Sequence, residues 1–197
     1  MKKIVLFLAL LTGTVGAANA QGARFGLKAG ASLANFVGKN TDNSKNLVGF
    51  VGGLMADFGF SDLISFHPEL LYSQKGAKGE SSGTSGQTRT SYLDVPLLLR
   101  VNADGPFFEA GPQLGFLLAQ KSEYDVAGVG SGSSTSTDGT RKIDVGYIVG
   151  LGYRAPQGLE IGLRYNGGIS DVRDPSGSDK IRNSVFQLQL GYLFGGQ

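Results

Sequence analysis

Along this chain, apolar and polar residues alternate at a period of two in eight stretches, roughly Arg24–Val37, Leu47–Phe60, Ile64–Gly76, Thr88–Asn102, Phe107–Gln120, Arg141–Arg154, Leu159–Ile169 and Asn183–Phe194. Strict alternation marks a strand with two unlike faces. The gaps between the stretches are alternately short and long. Three are tight turns, Ser61–Leu63, Ala103–Pro106 and Ala155–Gly158, and four are polar loops, Asn40–Asn46, Gly79–Gln87, Ser122–Thr140 and Asp171–Lys180. An up-and-down barrel with both termini on one side needs that arrangement, turns on the near side and loops on the far side. The pattern predicts an all-β fold, an eight-stranded antiparallel up-and-down transmembrane β-barrel.

Parity assigns the two faces. One face carries residues such as Leu27, Phe50, Leu54, Leu97, Leu99, Leu151, Leu163 and Leu188; the other carries Lys28, Asp57, His67, Glu69, Lys75, Asp94, Arg100, Glu109, Asp144, Arg154, Glu160 and Arg164. A soluble ligand-binding barrel also alternates, with its apolar face inward. Here the charged face is also the glycine-rich one, and small side chains belong where space is short. The charges are therefore expected in the lumen and the apolar face against lipid. Outward Phe25, Phe60, Phe66, Phe108, Tyr153, Tyr192 and Phe194 fall near the termini and short turns, while Phe50, Tyr72, Tyr165 and Phe186 fall nearer the long loops. These are two candidate interfacial girdles.

The N-terminus supplies the route to a membrane. Lys2 and Lys3, the apolar run Ile4–Leu11 and the Ala18-Asn19-Ala20 site read as a Sec signal peptide over residues 1–20, leaving residues 21–197 as one outer-membrane barrel domain that begins at Gln21. The apolar run is well short of the roughly 20 residues that a spanning helix needs. With no cysteine there is no lipoprotein attachment site. Removing Lys2 and Lys3 from the eighteen basic residues leaves sixteen, equal to the sixteen acidic ones, so the mature chain is near neutral and no nucleic-acid partner is implied. The chain closes on Tyr192-Leu193-Phe194, an aromatic end of the kind that the barrel-assembly machinery recognises, followed by Gly195-Gly196-Gln197.

Several motifs resemble a known family. Tyr92-Leu93-Asp94-Val95-Pro96-Leu97-Leu98-Leu99-Arg100, Phe107-Phe108-Glu109-Ala110-Gly111-Pro112-Gln113-Leu114-Gly115, Asp144-Val145-Gly146 with Gly150-Leu151-Gly152-Tyr153, and the closing Phe186–Phe194 run are similar to the Bacteroidetes outer-membrane β-barrel family labelled porin or PorT-like. The resemblance covers nearly the whole mature chain. It implies a Gram-negative outer-membrane location and a barrel fold, and it carries no catalytic residues.

Function then turns on the lumen. An eight-stranded barrel has an interior just wide enough for side chains to fill, and an unpaired charge there is costly. Lys28, Asp57, His67, Glu69, Asp94, Arg100, Glu109, Asp144, Glu160 and Arg164 are expected to form a connected polar network that plugs the lumen, with Glu69, Asp94, Arg100 and Glu109 in one cluster. The leading reading is a monomeric scaffold presenting four extracellular loops to a protein partner; the alternatives are a narrow porin-like channel and a secretion-accessory barrel resembling PorT. Enzymatic chemistry is not expected. Ser65, His67 and Glu69 alternate inward on one strand, where successive inward residues sit roughly 6.5–7 Å apart, beyond direct mutual hydrogen bonding, and a lumen gives a substrate no approach. No cofactor or metal is expected: Asp171, Asp174 and Asp179, around Pro175 and Gly177, fit no calcium-loop spacing and read as turn residues. Pro68, Pro96 and Pro112 lie within three successive strands and predict bulges or a local break in pairing.

Overall fold

The computed structural model describes residues 23–38, 44–81, 84–126, 130–172 and 180–195. The expected signal peptide, and Asp174, Pro175, Gly177 and Asp179 of the last loop, lie outside these residues. The strands are β1 (Ala23–Gly38), β2 (Ser44–Gly59), β3 (Ile64–Ser81), β4 (Thr84–Asn102), β5 (Pro106–Val126), β6 (Gly130–Thr135), β7 (Ile143–Arg154), β8 (Leu159–Gly168) and β9 (Ile181–Phe194). All pairings are antiparallel, and β1 closes on β9 from Phe25↔Phe194 to Gly38↔Ile181. The ring runs β1-β2-β3-β4-β5-β7-β8-β9, eight strands, and the short β6 pairs with the far end of β5 above β7.

The three short turns lie together at one end. In the β4–β5 turn, Asp104 and Gly105 both have positive φ, 49° and 117°, and the Ala103 N–H donates to the Pro106 carbonyl at 2.8 Å. Asp-Gly suits such a tight hairpin because both central residues are left-handed.

At the other end the strands outrun the sequence pattern. The β3–β4 ladder continues through Gly79↔Gly86 to Ser81↔Thr84, and β4–β5 continues through Gln87↔Glu123 to Thr84↔Val126. Segments 79–87 and 122–140, expected as loops, are thus largely strand, and β6 is a strand that alternation did not reveal. The reason is physical: beyond the apolar band both faces meet water, so nothing selects alternation, while the backbone ladder needs none.

The prolines break the ladders without bulges. In β2–β3 pairing passes from Met55↔Glu69 to Phe58↔Phe66, in β3–β4 from Pro68↔Leu97 to Leu71↔Asp94, and in β4–β5 from Pro96↔Gln113 to Leu99↔Ala110. Register is the same on both sides of each gap. The register shifts lie elsewhere, between Asn46 and Val51 in β2 and at Ser91/Tyr92 in β4.

The molecule is apolar outside and polar within. Leu27, Leu99, Leu151, Leu163 and Phe186 are all exposed, while Lys28, Asp57, Glu69, Lys75, Arg100 and Arg164 are buried. Outward aromatics pair near both ends, Phe25 with Phe58 and Tyr192 with Phe194 on the turn side, Phe50 with Tyr72 and Tyr165 with Phe186 on the hairpin side. From Phe50 to Phe58, β2 rises roughly 26 Å, about 20 Å across a layer at the usual barrel tilt, close to the apolar band of outer-membrane barrels. Lumen-facing glycines allow the tight curvature: a Cβ on Gly53 would stand 2.9 Å from Leu71 Cα, and one on Gly111 would stand 3.0 Å from Leu98 Cα.

Candidate functional site

The inward positions of the eight ring strands converge in two charged clusters. The larger lies toward the short turns. Arg164 of β8 grips Glu69 of β3 with both terminal nitrogens, at 2.6 and 2.7 Å, and its Nε donates to Glu109 of β5. Lys28 of β1 adds a third cationic contact to Glu69 at 2.5 Å. Arg100 of β4 bridges Glu109 at 2.9 Å and Glu160 of β8 at 2.7 Å, with its guanidinium 4.0 Å from the centre of the Phe107 ring. Arg154 of β7 then links Glu160 at 2.6 Å to Asp57 of β2 at 2.7 Å, and Arg24 reaches the same Asp57 oxygen at 2.8 Å from the rim.

His67 nearly closes this circuit. Its Nε2 lies 3.1 Å from Glu69 Oε1 and its Nδ1 lies 3.8 Å from Asp57 Oδ1, although neither ring nitrogen is aligned for a hydrogen bond. His67 and Glu69, expected from strand spacing to stand beyond each other's reach, are in contact: their Cα atoms are separated by a strand repeat, but the long Glu69 side chain brings its carboxylate to the ring. Ser65 takes a different partner, accepting from Asn102 Nδ2 at 3.3 Å. The arrangement is no catalytic triad, since Glu69 is held by Arg164 and Lys28 and His67 is fully buried.

The second cluster lies toward the long hairpins. Lys75 is 3.1 Å from both Asp94 and Asp144 and sits 4.6 Å from the centre of the Tyr92 ring. Ser73 donates to Asp94, and Ser170 and Asn183 donate to Asp144 at 2.8 and 3.0 Å. Asp94 therefore does not join Arg100, Glu109 and Glu69, as expected from their adjacent strands, because Lys75 captures it several rungs higher. Between the clusters the lumen is filled by Leu71, Leu98, Ile148 and Val185, by the Asn166–Gln113 bond at 2.7 Å and by the Gln189–Gln187 bond at 2.9 Å. A cavity of about 10 Å³ remains beside Lys28, Glu109 and Glu160, room for about one water.

Several participants had not been singled out from sequence: Arg24, Asn183, Asn166 and the pair Gln187 and Gln189. All share inward parity with the charged residues on their strands, so the signal was present. Ser170, beyond the end of β8, had no such signal.

The model of the outer membrane protein beta-barrel domain matches residues 19–174. The chain belongs to that family. Its environment is accordingly the lipid bilayer of an outer membrane, which agrees with an apolar exterior far larger than a soluble monomer exposes. Among solved structures it is similar to Ail, the attachment invasion locus protein of Yersinia pestis, at 16% identity over 88% of this chain and 99% of that one, with a TM-score of 0.51. It is also similar to a neisserial surface protein A, at 18% identity over 87% and 98% with a TM-score of 0.48, and to OprG of Pseudomonas aeruginosa, at 11% over 89% and 98% with 0.42. The likeness to Ail shows the fold alone. No curated protein matches significantly.

Proposed function

We propose that this outer-membrane barrel is a non-catalytic, monomeric scaffold whose lumen is plugged by its ion-pair network and whose long hairpins stand on the outer side to meet a protein partner. The observation that carries this reading is the continuous chain of ion pairs from Asp57 through the half-buried Arg154 and the buried Glu160, Arg100, Glu109 and Arg164 to Glu69, with space for about one water beside it. A conducting lumen needs a file of waters, and this interior offers charged side chains bound to each other instead. The extended β3–β4 hairpin and the β5–β6 hairpin favour presentation over transport. Export by a cleaved Sec signal at residues 1–20 and a place in the Bacteroidetes PorT-like branch belong to the same proposal, supported by the motifs of the sequence.

Single cysteines test the orientation. Ser133→Cys in β6 and Lys142→Cys are expected to react with an impermeant maleimide on whole cells, while Asp104→Cys in the turn is expected to be protected. The reverse pattern would sink the proposal. Tyr192 and Phe194, exposed on β9 beside the β1 closure, would serve as the C-terminal assembly signal. Phe194→Ser is then expected to lower the folded fraction in cells while refolding in detergent proceeds as in the parent; equal yields in cells would remove that role.

A further inference from the structure

Above the plugged lumen, strand parity carries the two faces of the wall onto the extended sheet of β3, β4, β5 and β6. Lys75, Thr90 and Gln120 share one lumen-facing rung at the hairpin end, since Lys75↔Thr90 and Thr90↔Gln120 are direct pairs and Lys75 and Thr90 are buried. Two residues higher on the same face lie Ala77, Thr88, Ser122 and Ser134, and two residues higher again lie Gly79, Gly86, Tyr124 and Gly132. The Thr88 and Ser122 hydroxyl oxygens stand 3.4 Å apart. Lys78, Arg89, Lys121, Glu123 and Asp125 fall on the other face, where Lys121 and Gln87 hold the Glu123 carboxylate. Beyond the apolar band neither lipid nor a closed lumen demands such a division, yet the inner face is a row of hydroxyls beneath a row of glycines broken by one tyrosine.

The backbone does not require glycine at Gly79 or Gly86. Neither has a positive φ, a Cβ on Gly79 would meet nothing within 4 Å, and one on Gly86 would meet only the Glu123 carbonyl oxygen at 3.5 Å, an ordinary contact. Glycine weakens a strand, and where no bend or bulge explains it, it marks a place where a ligand comes close to the backbone. Tyr124 leaves that space open. Its ring bends away over Gly132, where a Cβ would stand 3.0 Å from Tyr124 Cε1, and the residue is more than half exposed. The groove along this row, bordered also by Ser131 and Ser133, measures about 640 Å³, within the roughly 300–1,000 Å³ of small-ligand sites.

We infer that this inner face binds an uncharged saccharide, with one sugar ring stacked against Tyr124 in the space above Gly86 and Gly79. A pyranose ring joins an apolar C–H face to a rim of hydroxyls. The tyrosine ring offers an apolar body to the first, and Thr88, Ser122 and Ser134 offer hydroxyls that both donate and accept to the second. A phosphorylated or sulfated ligand meets no cation in these two rows. An extended peptide meets no free main-chain partners on the floor, because the N–H and C=O groups there are engaged in the ladders through Gly79↔Gly86 and Tyr124↔Gly132. Saccharide binding goes beyond the presentation of hairpins to a protein partner, and it depends neither on the side of the membrane they face nor on the plug below.

The test uses the full barrel refolded in lauryldimethylamine oxide, a detergent without a sugar headgroup, and reads saturation-transfer NMR titrations of maltohexaose, cellohexaose, laminarihexaose and chitohexaose, with a heparin hexasaccharide as the anionic comparison. At least one of the neutral sugars is expected to show transfer, strongest at the ring protons of one face. Tyr124→Ala is expected to weaken that binding about tenfold, the loss of one aromatic contact. Gly86→Val fills the open space with a residue that favours strands; it is expected to abolish binding while the unfolding midpoint equals or exceeds the parent's. Glu123→Gln, on the other face, is expected to leave binding intact. No transfer to any of the neutral sugars overturns the site, and this arm needs no variant to fold. Binding that survives both Tyr124→Ala and Gly86→Val, or that Glu123→Gln removes, overturns it as well, and a preference for the heparin fragment overturns the uncharged ligand. Conductance and maleimide labelling are untouched by any of these results, so the plugged scaffold stands or falls separately.

Discussion

The two charged clusters of the lumen are built on different principles. In the cluster near the turns, Asp57, Glu69, Glu109 and Glu160 each meet two cations, shared among Arg24, Lys28, Arg100, Arg154 and Arg164. In the cluster near the hairpins, Asp94 and Asp144 share Lys75, with neutral donors completing their shells. Removing one cation from the first leaves every carboxylate with another. Removing Lys75 leaves two buried carboxylates with none among the described residues. Redundancy, more than the number of ion pairs, should decide how each half responds to mutation, because the severe cost of a broken buried pair comes from the charge left uncompensated.

Lys75→Met, which keeps the shape and deletes the charge, is therefore expected to have the largest effect, a loss of about 3–5 kcal/mol for stranded buried charges, measured by urea unfolding in detergent or bilayers. A loss smaller than that of the equivalent change at Arg100 would show that the two clusters do not differ in this way. The exterior gives a scale that does not depend on ion pairs. Leu151→Arg, placing a charge on the lipid face, is expected to cost about 2–4 kcal/mol near the midplane, and equal tolerance of Leu151→Arg and Ser85→Arg would show the face assignment to be wrong.

Arg100→Met comes next. Glu109 keeps Arg164 and Glu160 keeps Arg154, so the expected loss is about 1.5–3 kcal/mol, the range for hydrogen bonds to charged groups. A double-mutant cycle of Arg100→Met with Arg164→Met isolates the redundancy, because Glu109 then loses both partners and the combined loss should exceed the sum of the two single losses. Simple additivity would argue against redundancy. Ser85→Arg, on the water-exposed extension of β4, is expected to change stability by no more than about 0.5 kcal/mol.

The same contrast between regions explains what the sequence revealed. Within the apolar band, alternation from Phe25 to Phe194 assigned the lumen and lipid faces strand by strand, because lipid on one side and a crowded lumen on the other impose opposite chemistries on successive residues. Above Gly76 and Ser91 that contrast ends, and the strand character of Gly79, Gly86, Glu123 and Ser133 left no period to read. Within the lumen, parity identified the charged residues but not their partners. Which carboxylate meets which cation depends on vertical stagger: Arg100↔Glu109 is a direct cross-strand pair, whereas Arg164 crosses the lumen to Glu69. Pro68, Pro96 and Pro112 marked lost rungs, and the unbroken register across each gap came only from the fold.

Single-channel recording in planar bilayers decides whether the ion pairs of the lumen close it. The parent is expected to be silent, and Arg100→Ser/Arg164→Ser, which opens the turn-side cluster on both flanks of Glu109, is expected to give small discrete conductance steps while remaining folded. A parent that conducts steadily, with current unchanged in the double variant, would contradict the plugged scaffold and make the barrel a narrow channel.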